Sequence, residues 1–107
     1  MTTFQIHRSH ALGLESARQL ARHWADAAEK EHQMNCTVAE QEDRCRIAFK
    51  RPGVHGDLVA KVDDFVLTVT LGFLIAAFGP RIRAEIEKNL DAAIAEASAV
   101  SRAGSEG

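Results

Sequence analysis

The sequence predicts a single α+β domain of order β-α-β-β-β-β-α, an antiparallel sheet with both helices on one face. Two observations carry this. The apolar period is two, then about 3.6, then two again for four segments, and finally 3.6. Every period-two segment also alternates apolar with polar residues, the pattern of strands covered on one side only. The 107 residues fit one modest core, expected over 1–97, and 98–107, ending in the small and polar SRAGSEG, is expected to form a flexible tail.

Phe4 and Ile6 alternate with Gln5 and His7, giving a short first strand. From about 13 to 32, Leu14, Ala17, Leu20, Ala21, Trp24, Ala27 and Ala28 share one helical face, opposite Glu15, Arg18, Arg22, Asp26, Glu29 and Lys30. Gly13 suits the N-cap, and Arg22 and Asp26 stand four apart, within pairing reach. Met34, Cys36 and Val38 then share one strand face, and Cys45, Ile47 and Phe49 share one face of the next strand. A two-residue turn at Gln41-Glu42 sets Val38 opposite Cys45 and Cys36 opposite Ile47. Pro52-Gly53 marks the following turn, where glycine supplies the positive φ of a type II geometry.

The next hairpin carries the clearest pattern. Val54, Gly56, Leu58, Ala60 and Val62 face Phe65, Leu67, Val69 and Leu71. A turn at Asp63-Asp64 pairs Val62 with Phe65, Ala60 with Leu67, Leu58 with Val69 and Gly56 with Leu71. A slip of one residue would turn one strand's core set to solvent. The last helix starts near Pro80, which suits the first helical position, and its stripe is Ile82, Ile86, Leu90, Ala93, Ile94 and Ala97. This order is that of the TATA-binding-protein-like, or reduced helix-grip, topology, which implies a curved sheet packed against a long C-terminal helix.

Charge and hydropathy exclude several function classes. The formal net charge of −2 gives no general pull toward nucleic acid or acidic membranes. The longest nearly apolar run, Phe65 to Phe78, falls short of the roughly 20 residues of a spanning helix, so no transmembrane segment is expected. MTTFQIHRSH lacks an apolar secretory stretch, and a reduced, cytoplasmic protein is expected.

No catalytic, cofactor-binding or metal-binding constellation emerges. Cys36 and Cys45 lack CxxC spacing and read as core residues. The five histidines form neither HxH nor HExxH; His7 and His55 fall on outward strand positions, His23 and His32 on the helix surface. Arg44, Arg46, Lys50 and Arg51 form a basic strip without local acids, read as solvated strand charge that discourages edge pairing. A nucleic-acid surface would interleave aromatics there, and only the core-facing Phe49 is present. Arg81 and Arg83 oppose the dipole of their helix, offset by Glu85 and Glu87 four residues on; an anion contact at these two arginines is the sharper alternative.

The apolar joint is different in kind. Leu71, Phe73, Leu74, Ile75 and Phe78 are more large apolar groups than one sheet-to-helix connection needs. They can serve as core, as the contact of a homodimer or other protein partner, or as a contact to an apolar ligand or polymer. Phe73, Leu74, Ile75 and Phe78 are the residues left over once Leu71 is assigned to the hairpin core. A cavity beneath the last helix, sized for an acyl chain, is the competing site.

SHALGLESAR at the start, GVHGDL opening a strand, and above all VTLGFLIAAFGPRIRAEIEKNLD resemble the polyhydroxyalkanoic acid system proteins. The likeness runs over about residues 4 to 94. It implies a bacterial cytoplasmic accessory protein of polyhydroxyalkanoate storage, partnered by the polyester granule or a granule-associated protein. The family carries no established catalytic residues to transfer. His55 stands where relatives often have an acidic residue, and Pro80-Arg81 depart from a lysine-rich start to the last helix.

Overall fold

Eight elements follow one another: β1 (Thr2–Ser9), α1 (Gly13–His32), β2 (Asn35–Glu40), β3 (Arg44–Arg51), β4 (Val54–Lys61), β5 (Asp64–Leu71), α2 (Phe73–Ala76) and α3 (Gly79–Glu106). They come from a computed structural model that describes the backbone of residues 2–106 and the side chains of residues 2–98. The expected tail over 98–107 lies almost wholly outside the described side chains. The one-turn helix α2 adds an element to the predicted order.

The strands form one antiparallel sheet of order β1-β5-β4-β3-β2. The inner face carries Ile6, Cys45, Ile47, Phe49, Leu58, Ala60, Phe65, Leu67, Val69 and Leu71, all buried in one cluster with Leu90 of α3 and the buried stripe of α1. That stripe is Ala17, Leu20, Ala21 and Ala25, with Ala28 buried outside the cluster, so small side chains let α1 sit close over β3 and β4. The helical face is turned slightly from the expected one. Ala25 is buried and Ala27 is exposed.

The expected curved, helix-grip sheet is not what forms. The sheet is open and not curled, with β1 and β2 as unjoined edges. Strong curvature is put into sheets by bulges and glycine kinks. All four ladders here run without a bulge, each in constant register from end to end. The one glycine inside a strand, Gly56, is covered rather than kinked: a Cβ built there would fall 2.9 Å from Phe49 Cζ and 2.0 Å from the Thr68 carbonyl oxygen.

Both hairpins keep the predicted faces but sit one pair away from the predicted register. Val38 faces Ile47 and Cys36 faces Phe49. Ala60 faces Phe65, Leu58 faces Leu67, Gly56 faces Val69 and Val54 faces Leu71. A two-residue displacement preserves the inward set, so alternation cannot detect it. It leaves Val62 in the turn, 56% exposed.

Helix α1 covers the expected residues, but its N-cap is Leu12, which makes no side-chain cap, and Gly13 at φ 81° is its first residue; the helix is closed by Gln33 in the left-handed region. Arg22 does not pair with Asp26. It reaches Glu40 on β2 at 3.0 Å, while Asp26 takes Lys30.

Candidate functional site: the apolar joint between sheet and last helix

Strand β5 ends at Leu71, and two glycines, Gly72 and Gly53, then fix the chain's direction. The Gly72 N–H donates to the Gly53 carbonyl at 2.8 Å, clipping the end of β5 to the β3–β4 turn. Gly53 has φ 84°, the positive value expected from Pro52-Gly53. A Cβ at Gly53 would fall 2.5 Å from Ile75 Cδ1, so the Ile75 side chain occupies the space that the missing side chain leaves. The Gly72 carbonyl accepts the N–H groups of Ile75 and Ala76, closing the single turn of α2. The Phe78 carbonyl accepts the Ile82 N–H at 2.9 Å and starts α3, with Pro80 in its first turn.

This arrangement separates the four expected residues. Ile75 turns inward and packs against the core, half-buried. Phe73, Leu74 and Phe78 stay outside, at 78%, 76% and 59% exposure. Fully covering a side chain of this size stabilises by roughly 1.5–3 kcal/mol, so three of them in one short segment leave a substantial apolar area in water. Val62 is not part of it. It lies in the β4–β5 turn, at the opposite end of β5.

The two arginines of the neighbouring helix turn are used differently. Arg83 Nε pairs with Glu87 at 3.2 Å, and its guanidinium lies 5.8 Å from the Phe4 ring centre. Arg81 is exposed, and the i,i+4 pair expected with Glu85 is absent among the described residues. Arg81 follows Phe78 by three residues and forms no ion pair among the described residues. The basic strip is also not free of acids: Arg46 meets Asp57 at 2.6 Å, Arg44 meets Asp43 at 3.0 Å, and Arg51 donates to the His32 carbonyl.

One polar network was invisible to motif reading. Arg8 pairs with the inward Phe65 in the β1–β5 ladder, so it points toward the covered face. It reaches Glu87 at 2.6 Å and Asp91 at 2.8 Å on α3. The signal was the parity Phe4, Ile6, Arg8, which places a charge on the core side and demands a partner there.

Among the described residues, no group of three His, Cys, Asp or Glu side chains could hold a metal ion. His7 pairs with Asp64 on the outer face. His10 Nδ1 accepts the Leu12 N–H, so its Nε2 carries the proton and donates to the Lys61 carbonyl at 3.0 Å; both ring nitrogens are committed. Burial pushes the thiols of Cys36 and Cys45 up. Cys36 faces Phe49 and Cys45 faces Glu40, roughly 13 Å apart along the ladder, too far for a disulfide. Leu90 is the fully buried residue of α3 in the core cluster, and Ile82, Ile86, Ala93, Ile94 and Ala97 pack against that cluster partly buried. Two shallow depressions lie elsewhere, over Asn35, Lys50 and His55 and along Gln19, Arg22 and Asp26. No described helix is long and apolar enough to cross a membrane.

A family profile described as "Putative polyhydroxyalkanoic acid system protein (PHA_gran_rgn)" matches residues 4–94. The chain belongs to this family. No curated protein and no solved structure matches it. The family match runs from β1 well into α3 and so includes the whole joint. Family membership and the exposed apolar surface together fit an accessory, binding role in the polyhydroxyalkanoic acid system.

Proposed function

We propose that this chain is a non-catalytic cytoplasmic accessory protein that binds an apolar surface through Phe73, Leu74 and Phe78. The surface is that of a polyhydroxyalkanoate granule or of a protein seated on one. The observation that carries this reading is the division at the joint. Ile75 locks α2 onto Gly53, while Phe73 and Leu74 of the same turn and Phe78 just after it stand in solvent. Burying them needs no directional chemistry and suits a polyester of repeating apolar units. Arg81 beside the patch supplies a contact for carboxylate or phosphate groups at the granule surface.

Granule co-sedimentation tests the reading. Wild-type protein partitions with polyhydroxyalkanoate granules, and a Phe73→Asp/Phe78→Asp variant of unchanged circular dichroism stays in the supernatant. Equal partitioning of the two removes the proposal. Partition that depends on the granule's protein coat, and is lost on bare polymer, assigns the contact to a granule protein.

A further inference from the structure

The two sheet edges differ. β1 carries the inward charge Arg8 and lies beside α3, whose Arg83 stands over Phe4; an inward charge is one of the devices that guard an edge. β2 has no proline, no lysine and no bulge, and its residues are exposed except for the half-buried Cys36. Val38 on this edge is 44% exposed although it belongs to the inner face.

The hydrogen-bond parity of β2 follows from its hairpin. The Gln41 N–H donates to the Arg44 carbonyl, so 41 and 44 form a hydrogen-bonded pair. In an antiparallel ladder such pairs recur every second residue. Ala39, Thr37 and Asn35 therefore aim their backbone groups at β3. Cys36, Val38 and Glu40 aim theirs at the open edge.

We propose that β2 is a dimerisation edge, joining β2 to β2 of a second copy so that two five-stranded sheets become one continuous sheet. Antiparallel pairing centred on Val38 sets Val38 against the second copy's Val38, and Cys36 against its Glu40. Each of the three outward-aimed residues then exchanges two backbone hydrogen bonds, which is the most this edge can form. Registers displaced by one pair engage only two of the three.

Side chains favour the same register. The exposed valines cover each other, Glu40 meets a thiol rather than another carboxylate, and Thr37 meets Ala39. On α1, Arg22 stands over the Glu40 end at 3.0 Å, and Glu29 lies near the Cys36 end. The two-fold axis brings each Arg22 toward the second copy's Glu29, opposite in sign. The edge is self-complementary in hydrogen bonds, apolar contact and charge. This proposal is independent of the joint at Phe73 and Phe78.

Sedimentation equilibrium across the micromolar range tests it, with Val38→Pro as the main variant. Proline removes an edge-directed N–H and leaves the β2–β3 ladder bonds in place. The expected result is a wild-type dimer whose dissociation constant rises about tenfold or more in Val38→Pro, with unchanged circular dichroism, and a Phe73→Asp/Phe78→Asp variant that remains dimeric. If Val38→Pro fails to fold, Val38→Lys gives the same readout by placing two ammonium groups at the axis. A wild-type monomer throughout the range, a dimer indifferent to the folded Val38 variants, or a dimer lost in the Phe73/Phe78 variant overturns the proposal.

Discussion

Arg8 Nη2 lies 2.6 Å from Glu87 Oε2, tying the outermost strand to the last helix by a bond between residues far apart in sequence. Asp91 takes Nε of the same guanidinium, and Arg83 approaches Glu87 from its own helix. The hydrogen bond from Arg8 is the main cause that holds the Glu87 carboxyl below its ordinary value, against some opposing burial.

A carboxylate with a depressed folded pKa contributes stability above its unfolded value, and that contribution is lost as pH falls through the folded value. Thermal melts taken from neutral pH down through the acid side of the carboxylate range should therefore show a progressive loss. Glu87→Gln should lower the neutral melting temperature and flatten part of the acid slope. Asp43 is shifted the same way by Arg44, but adjacent residues keep that pairing in the unfolded chain, so Asp43→Asn should leave the slope nearly unchanged.

Gly56 tests the packing of the sheet. A methyl group there meets the Thr68 carbonyl and the Phe49 ring, and the carbonyl belongs to a paired strand that cannot withdraw. Gly56→Ala should destabilise by about 3 kcal/mol, read as a lower denaturant midpoint.

At the joint, stability and surface can be separated. Phe73→Asp and Phe78→Asp should each change folding stability by less than about 0.5 kcal/mol, because both side chains are already in water. Ile75→Asp should cost more than about 1 kcal/mol, because it sets a carboxylate against Gly53 and the core. Chemical denaturation of the three variants distinguishes them.

Thiol labelling should follow burial. Cys45 is fully buried and Cys36 partly so, and burial is the largest cause raising both thiols. In the native protein an alkylating reagent should modify Cys36 slowly and Cys45 hardly at all, and urea should release both. Mass spectrometry of the labelled peptides counts them.

Most of the fold was legible because alternation reports which face a residue takes. Helix α1 fell at 13–32 as its period required, and parity gave the inward sets of β3, β4 and β5 apart from Val62, which lies in the turn. Register was not legible. Turns one pair apart satisfy the same parity, and local sequence at Gln41–Arg44 and Val62–Asp64 did not distinguish them. Curvature was inferred from the order of elements, and order does not bend a sheet when its ladders lack bulges.

The site was legible in part. The surplus of apolar residues after Leu71 was plain from the sequence, but not that Ile75 would be the one to turn in. That choice depends on Gly53, a residue of another turn whose missing side chain makes room for it. The partners of Arg22 and Arg8 were missed for the same kind of reason: both lie on different elements, and spacing along one helix cannot find them.

The clip between Gly72 and Gly53 has a thermodynamic consequence for whatever meets Phe73, Leu74 and Phe78. A flexible loop bearing these side chains would have to be ordered at the moment of contact, at a cost subtracted from the gain of covering them. Here the ordering is completed during folding, by a backbone hydrogen bond and the seat of Ile75 on a glycine. The surface is preorganised, and a few apolar side chains can then give useful affinity where a mobile segment of the same composition would give little.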